Sequence, residues 1–340
     1  MSPAPCGLLF MPERMNVIMR DVQIPPVKIG PINKLLSPLA LGSFIFGADA
    51  WRPAARAQLT ATLQTALDHG ITHFDTATGY GSGQSEELIG QFVGGRRDQI
   101  FLASKASIDE MDADLMYRRV EESLARLHVD MIDLYYIHWP RQGKDIRPMM
   151  EGLERARQAG KIGAIGVSNF SVANMEQVRQ VGPIHAHQLA YNLFWRFAEA
   201  EVIPYCRQHN IAVVTYSSIA QGVLTGKFGR DPQLPSGDNR GRVVHFDADV
   251  WPHIYAGVEA LKPLAQEVNR PLAHLAIRWV LHQQDIHTAV VGARTPEQVT
   301  QNAAALAGEI PPAIFERMTA ISDEVMTHIP DTGNPYRHYP

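Results

Sequence analysis

Cysteine is nearly absent from this sequence. Only Cys6 and Cys206 occur among the 340 residues, whereas small secreted domains often depend on several disulfides. No apolar run reaches the roughly 18 residues from which a membrane-spanning helix is recognised. Residues 1–15 contain a short apolar patch. A signal peptide has a basic segment ahead of its apolar stretch, and this patch is not preceded by one. We therefore expect a cytoplasmic chain that neither enters a membrane nor relies on disulfides.

An excess of charge of one sign is lacking as well. The 31 Lys and Arg residues nearly balance the 35 Asp and Glu residues, which leaves a formal net charge of −4 with no long run of either sign. Proteins that bind nucleic acid or anionic membranes concentrate positive charge on one surface. We expect no nucleic-acid partner and no membrane partner. No pattern in the sequence predicts the oligomeric state.

What the sequence does contain is an alternation of apolar strands and amphipathic helices. Eight near-continuous apolar runs are separated by helical patterns, from SPLALGSF near residue 40 to TAVVGA near residue 290. Such strands are typical of parallel sheets that are covered on both faces. Eight of them predict an α/β fold, a closed (β/α)8 TIM barrel, with an open doubly wound sheet as the alternative.

The connections between these elements define the expected domain. A loop containing Gly and Pro near 229–242 and two helical patterns, near 253–268 and 272–284, separate the last two strands. We therefore expect extra C-terminal helices and long loops at the C-terminal face of the barrel. A single barrel domain over residues 31–340 would follow an N-terminal extension of residues 1–30.

Most of the apolar runs stop at a polar residue. These residues are Asp75, Lys105, His138, Asn169, Gln188 and Tyr216. The first four follow one another at intervals of about 30 residues, which is the length of one βα unit. Because barrel enzymes build their sites from the C-terminal ends of the strands, these side chains should surround one site.

The segment GYGSGQSE, residues 79–86, lies between a strand and a helix but is not a dinucleotide fingerprint. The pattern G-x-G-x-x-G requires a third glycine, and Gln84 or Glu86 stands at that position in the two possible registers. A Rossmann domain is therefore not predicted. The helix that follows is expected to begin at Ser85, with carboxylates in its first turn.

Six separated motifs resemble those of the aldo-keto reductase superfamily, and of its bacterial inositol-operon-type members in particular. They span roughly residues 35–305 and are FDTATGYGSGQSEELIG, ASKA, YYIHWP, AGKIGAIGVSNF, TYSSIAQGVLTGKF and VVGARTPEQVTQN. The resemblance implies a (β/α)8 barrel that binds a nicotinamide cofactor without a Rossmann domain. It also implies reduction of an aldehyde or ketone to an alcohol, or the reverse reaction.

By this resemblance the catalytic tetrad is Asp75, Tyr80, Lys105 and His138. A free phenol has a pKa of about 10 and holds its proton too firmly to be an efficient acid at neutral pH. The ammonium of Lys105 should lower that pKa, and Asp75 should keep the ammonium charged and oriented. His138 should add a hydrogen bond to the substrate oxygen and help to position it.

The resemblance also implies a cofactor site near the last strand. Arg294 offers a planar fork that suits the 2′-phosphate of NADP, so NADP(H) is favoured, while the nearby charge of Glu297 keeps NAD(H) open. Gln298 and Asn302, four apart on one helix face, should meet the adenosine end. Thr295 and Gln298 form the T-x-x-Q pattern of a capping box, at a place where barrels often bind phosphate.

The other cofactor contacts come from the resemblance alone. Ser168, Asn169 and Gln188 match contacts to the nicotinamide amide, and Tyr216 matches the aromatic residue on which the ring stacks. The remaining expected contacts are Gly42, Ser43, Phe44, Asp75, Ser217, Gln221, Gly222, Leu224, Gly226, Lys227, Gly292 and Ala293.

The expected partner is a small carbonyl or alcohol substrate whose identity stays open among aldehydes, ketones, sugars and oxidised natural products. Phe46, Trp51 and Trp139 predict an apolar-lined mouth. One alternative function is a metal-dependent hydrolase, because His185 and His187 form an H-x-H pair. In amidohydrolase barrels that pair belongs to the first strand, whereas here it lies on the sixth, so no metal site is predicted.

A second alternative is a binding protein of the same fold that holds the cofactor with little turnover, as potassium-channel beta subunits do. The N-terminal extension and the tail DTGNPYRHYP would then be partner surfaces, or simply loose termini. The complete tetrad favours the enzyme over this alternative.

Overall fold

The computed structural model describes residues 26–32, 34–47 and 55–337, and a closed barrel of eight parallel strands forms its centre. In chain order the strands are β1 (Val27–Lys28), β2 (Leu35–Leu36), β3 (Leu39–Gly42), β4 (His73–Asp75), β5 (Phe101–Ala106), β6 (Ile132–Ile137), β7 (Ile162–Ser168), β8 (Ala186–Ala190), β9 (Ala212–Tyr216) and β10 (Ile286–Gly292). Each strand from β3 to β9 pairs with the next one, and β10 closes the ring against β9 and β3. The predicted (β/α)8 barrel is confirmed, and the open sheet is wrong.

The helices of the described ranges surround the barrel. They are α1 (Arg56–Asp68), α2 (Gln84–Val93), α3 (Ala113–Leu127), α4 (Arg147–Gln158), α5 (Val172–Arg179), α6 (Val202–Gln208), α7 (Trp251–Glu267), α8 (Leu272–His282), α9 (Pro296–Ala304) and α10 (Pro312–Met326). Both α7 and α8 lie between β9 and β10, and α10 follows the last βα unit, so the expected extra helices are present. Within these ranges no helix is both long and apolar enough to cross a membrane.

Local sequence signals explain helix starts to different degrees. Ser171 and Asn174 form a reciprocal capping box at the start of α5. The predicted start of a helix at Ser85 is off by one residue, because α2 begins at Gln84 after Gly83, whose φ of +97° favours glycine. The side chain of Ser85 is not a cap; it joins a hydroxyl network at the mouth of the barrel.

The interior of the barrel changes from apolar at one end to charged at the other. Side chains alternate along a strand, so Phe101, Ala103 and Lys105 of β5 share one face. Apolar residues fill the N-terminal end, which Ile29 and Leu36 of the β1–β2 hairpin help to close. The C-terminal end is therefore the one available for a site. The predicted boundary between extension and barrel, at residue 30, lies in the turn of this hairpin and stays a prediction.

Candidate active site

A buried ion pair marks the C-terminal end of the barrel. Lys105 Nζ lies 2.6 Å from Asp75 Oδ1, and only 1% and 4% of the two side chains are exposed. Lys105 Nζ also donates to Thr76 O at 2.9 Å, and Gln188 Nε2 donates to Asp75 Oδ2 at 2.8 Å. Burial lowers the pKa of Lys105, and the carboxylate of Asp75 opposes that shift. Because each charge has partners, the interior tolerates the pair.

The phenol of Tyr80 lies against this ion pair. Lys105 Nζ is 5.1 Å from the centroid of the Tyr80 ring, within cation–π range. Two rings approach the Tyr80 ring edge-on, Phe44 at 5.2 Å and His138 at 5.9 Å between centroids. Gly47 permits its own loop to approach the loop that carries Tyr80, because a Cβ at residue 47 would overlap the backbone that follows Tyr80. The structure therefore brings the four predicted tetrad residues together.

The electrostatics at Tyr80 differ from the expectation. Desolvation by the surrounding protein, and then the charge of Asp75, raise the pKa of Tyr80 well above its ordinary value. The predicted net lowering of this pKa is wrong, because burial and the negative charge of Asp75 disfavour the phenolate and outweigh any favourable effect of the Lys105 ammonium. Tyr80 therefore keeps its proton at neutral pH, which is the form that a general acid requires.

A network of hydroxyl groups fixes the loops that carry Asp75 and Tyr80. Ser43 Oγ donates to Asp75 O at 2.8 Å. Ser85 Oγ lies 2.7 Å from Ser43 Oγ and 2.9 Å from Thr76 Oγ1, and all three hydroxyl-bearing residues are buried. Sequence reasoning missed Thr76 and Ser85 as supports of the site. The expected contact between Ser43 and a cofactor stays a prediction.

The residues expected to recognise an amide lie beside the ion pair. Asn169 follows β7 in the left-handed conformation, with φ of +63°, and its Nδ2 donates to His138 O at 3.1 Å and to Ser168 Oγ at 3.0 Å. Tyr216 Oη donates to Asn169 Oδ1 at 2.6 Å. Gln188 joins this group to the ion pair through its bond to the carboxylate. Asn169 N donates to Gln188 O at 3.0 Å, so one connected set of hydrogen bonds joins the C-terminal ends of the strands from β4 to β9.

The chain after β9 turns through a run of left-handed residues. Ser217, Ala220 and Gln221 have φ values of +61°, +48° and +52°, a conformation that is costly outside glycine and is found most often at functional sites. In this loop Ser218 Oγ and Gln221 Oε1 are buried without a hydrogen-bond partner among the residues that the structure describes. Such buried orphan atoms fit a polar ligand. The expected contacts Gly222, Leu224, Gly226 and Lys227 follow in the same loop.

The predicted phosphate end lies where β10 meets β3 and α9. The expected contacts at this corner are Gly42, Gly292, Ala293, Arg294, Gln298 and Asn302. Thr295 Oγ1 caps α9 by accepting from Gln298 N at 3.3 Å. The predicted capping box also requires a bond from Thr295 N to Gln298 Oε1, and this part of the prediction is wrong. Gln298 Oε1 accepts from Arg294 N, at 2.8 Å, and not from Thr295 N. This bond holds the backbone of Arg294 beside a helix N-terminus, a favourable place for an anion.

The predicted substrate-pocket residues have three different outcomes. Trp139 stacks on His138 with 6.2 Å between ring centroids. Phe46 is buried in the hydrophobic core, so we assign the aromatic wall beside Tyr80 to Phe44, which is 45% exposed. Trp51 lies outside the described residues.

The H-x-H pair has structural contacts. His185 Nδ1 accepts from Ile165 N at 3.1 Å, and His187 Nε2 accepts from Phe170 N at 3.1 Å. Burial lowers the pKa of His187 to about 3. In the part of the chain that the structure describes, no group of three or more His, Cys, Asp or Glu side chains is arranged to hold a metal ion.

Sequence reasoning missed Tyr336, which lies at the mouth of the barrel. Its ring stacks on Tyr216 with 6.4 Å between centroids and 26° between planes. Its Oη accepts from Gln221 Nε2 at 2.6 Å and lies 3.1 Å from Ser217 Oγ. The tail was expected to be a loose terminus or a partner surface, and no periodicity or motif in DTGNPYRHYP indicates this contact.

Comparisons with known proteins agree with this geometry. The model of the Aldo/keto reductase family matches residues 38–323. The chain is similar to aldo-keto reductase YhdN of Bacillus subtilis, at 38% identity over 77% of this chain and 83% of that protein. It is also similar to the NADH-specific methylglyoxal reductase of Escherichia coli, at 31% identity over 82% and 93% of the two chains.

Solved structures show the same similarity. The glycerol dehydrogenase of Gluconobacter oxydans superposes with a TM-score of 0.81 at 32% identity, covering 90% of this chain and 96% of that one. An aldo/keto reductase of Klebsiella pneumoniae in complex with NADP and acetate gives a TM-score of 0.70 at 28% identity, covering 91% and 98%.

Proposed function

The chain belongs to the aldo/keto reductase family, and from this premise we propose that it is an NADP(H)-dependent oxidoreductase that reduces an aldehyde or ketone to an alcohol, or catalyses the reverse. The expected family is confirmed. The observation that carries the proposal is the buried Lys105–Asp75 pair against the ring of Tyr80. It lies at the end of the barrel where barrel enzymes have their active sites.

Tyr80 is the proposed acid. During reduction its Oη gives a proton to the carbonyl oxygen, and during oxidation the phenolate takes a proton from the alcohol. The raised pKa of Tyr80 keeps the group protonated before the reaction, but it also opposes release of the proton, so the step depends on stabilisation of the phenolate by neighbouring groups. Lys105 stabilises the negative charge that the phenol oxygen gains when the proton leaves. Asp75 holds Lys105 in place by accepting its hydrogen bond, and Gln188 holds the carboxylate of Asp75 in turn. His138 orients the carbonyl oxygen beside Tyr80.

The residues around the mouth fit a nicotinamide dinucleotide, which when bound supplies or accepts the hydride. Tyr216 offers a ring for stacking, and Asn169 and Gln188 offer amide groups beside it. The orphan Gln221 Oε1 supports a polar ligand along the loop after β9. Arg294, beside the N-terminus of α9, would bind a 2′-phosphate, so NADP(H) is the favoured cofactor.

NAD(H) is the second choice of cofactor. Glu297 lies in the first turn of α9, where its negative charge opposes a 2′-phosphate. One relative is named as NADH-specific, whereas a similar solved structure contains NADP. Arg294 belongs to the predicted phosphate corner, and its positive charge decides the proposal in favour of NADP(H).

The proposed substrate is a small carbonyl compound that passes Phe44 and Trp139. Phe44 is exposed beside Tyr80, and Trp139 stacks on His138, so the entrance offers apolar contact close to the reacting hydroxyl. A cytoplasmic location and the lack of nucleic-acid and membrane partners belong to the same proposal.

The proposal is tested with the full-length chain and a panel of aldehydes, ketones and sugars, supplied with NADPH or NADH. Cofactor oxidation is followed by absorbance, and cofactor binding is measured separately by calorimetry. We expect oxidation of NADPH by at least one class of carbonyl compound. Tight binding of NADPH without oxidation across the panel would overturn the proposed enzymatic function. It would favour the alternative of a binding protein that holds the cofactor with little turnover.

A further inference from the structure

The end of the chain is attached to the mouth of the barrel by a small set of contacts. Pro335 O accepts from Val244 N at 2.9 Å, and Arg337 forms an ion pair with Asp247. Both partners belong to the long connection between β9 and α7. We refer to residues 331–337 as the C-terminal segment.

Tyr336 of this segment contacts three residues of the proposed cofactor site. Its ring stacks on Tyr216, and its hydroxyl bonds to Ser217 and to Gln221. The amide of Gln221 has two N–H donors; one is directed at Tyr336 Oη and the other at Ser217 Oγ. A ligand that stacks on Tyr216 or accepts from Gln221 therefore meets contacts that the chain already makes with itself.

Tyr336 also influences the proposed acid. After burial and the charge of Asp75, Tyr336 and then Tyr216 are the next causes that raise the pKa of Tyr80. Tyr336 therefore contributes to the electrostatic environment of the reacting hydroxyl as well as to the polar loop after β9.

We propose that the C-terminal segment is an autoinhibitory latch in which Tyr336 competes with the nicotinamide half of the dinucleotide for Tyr216, Ser217 and Gln221. This inference rests on the proposed function, because it requires these residues to be cofactor contacts. The latch is open when the cofactor is bound and closed when it is absent. The apparent dissociation constant of the cofactor is then the intrinsic constant divided by the fraction of molecules in which the latch is open.

The contacts of the segment are of a kind that can be broken without unfolding the barrel. The side chain of Arg337 is 47% exposed and that of Asp247 is 23% exposed, and exposed ion pairs contribute little. Asn334 is 2% exposed and its Oδ1 accepts from Tyr336 N at 3.0 Å. Opening therefore moves residues 335–337 of the segment and breaks this bond, while Asn334 stays buried.

The test measures the dissociation constant and the association rate of NADPH for the full-length chain and for Tyr336→Ala, Tyr336→Phe and Arg337→Ala. Tyr336→Ala should tighten NADPH by about three- to tenfold, mainly through faster association. Tyr336→Phe, which keeps the ring and loses the hydroxyl bonds, should give a smaller change in the same direction. Arg337→Ala should do the same, although this residue makes no contact with Tyr216, Ser217 or Gln221. Tyr117→Ala, at a half-buried position of α3 where the ring faces Arg155 and Lys161, is the matched control and should leave both constants unchanged.

The possible results separate the latch from the proposed function. Weaker NADPH binding in Tyr336→Ala would overturn the latch and make Tyr336 a cofactor contact, while the proposed function would stand. Unchanged binding in all three variants would also overturn the latch. Failure of every variant to bind NADPH would overturn the proposed function together with the latch. If Tyr336→Ala does not fold, as judged by circular dichroism, Tyr336→Phe and Arg337→Ala decide the question.

Discussion

Replacing Asp75 with asparagine is expected to leave Lys105 with a buried charge that the protein no longer compensates. Asparagine keeps the shape of the side chain but replaces one carboxylate oxygen with an NH2 donor. The change therefore removes the charge 2.6 Å from Lys105 Nζ and also the hydrogen bond from either Lys105 or Gln188. Breaking a buried ion pair by removing one partner costs about 3–5 kcal/mol of unfolding free energy. Thr76 O still accepts from the ammonium, so we expect a value near the lower end of this range.

The cost of Asp75→Asn should depend on pH in a defined direction. Burial already lowers the pKa of Lys105, and Asp75 is the largest influence that raises it, so its removal lowers this pKa further. Below the lowered pKa the folded variant contains a buried unpaired ammonium and the full cost is present. Above it the lysine is neutral in the folded state, while the unfolded state still binds the proton, so stability rises with pH. The destabilisation should therefore be larger at neutral than at alkaline pH.

Urea unfolding at neutral and alkaline pH measures this cost. Circular dichroism and tryptophan fluorescence must give coincident transitions, which establishes two-state behaviour. Asp145→Asn, in the exposed pair with Arg147, is the matched control and should change the unfolding free energy little at either pH. A loss for Asp75→Asn below about 1 kcal/mol, the range of surface pairs, or a loss that is equal at both pH values, would refute the reasoning.

Two further substitutions test other parts of the account. Arg294→Ala should weaken NADPH binding about 10- to 100-fold, because charge-assisted hydrogen bonds to a phosphate are lost, and it should change NADH binding little. Calorimetric titration with both cofactors measures the difference. Equal losses would mean that no 2′-phosphate is bound there. Gly166→Ala should destabilise the barrel by about 1–3 kcal/mol, because a Cβ at this position would overlap the ring of Tyr136. Gly94→Ala, where no heavy atom lies within 4 Å of the added Cβ, is the control in the same urea unfolding assay. Equal unfolding free energies for the two alanine variants would contradict the packing described for Tyr136.

The barrel, and the position of several polar side chains at the C-terminal ends of its strands, could be predicted from the sequence because both are expressed in local patterns. Buried parallel strands require apolar runs, and the period of strand and helix fixes how many units the chain contains. Because the C-terminal ends of such strands meet at one face, Asp75, Lys105 and Gln188 could be brought together before any coordinates were known. The bonds between them have the lengths expected of such a group.

What the sequence did not predict depends on contacts between distant segments. Tyr336 reaches Ser217, which is 119 residues earlier in the chain, and no periodic pattern records such a contact. The pKa of Tyr80 depends on burial and on the summed charges around it, so the identity of its neighbour Lys105 was insufficient to give the direction of the shift. Phe44 and Phe46 are two residues apart, and only the short helical turn that contains them decides which is exposed.

The measurement that tests the central claim most directly compares Tyr80→Phe with Tyr136→Phe. Both substitutions remove one hydroxyl from the barrel, and Tyr136 Oη has no hydrogen-bond partner within the described ranges. With a carbonyl substrate from the panel and NADPH, Tyr80→Phe should lower kcat by about 10²- to 10⁴-fold, the contribution of a general acid, while the dissociation constant of NADPH stays nearly unchanged. Tyr136→Phe should keep both values. Turnover by Tyr80→Phe at a rate close to that of the unsubstituted protein would contradict the assignment of Tyr80 as the acid.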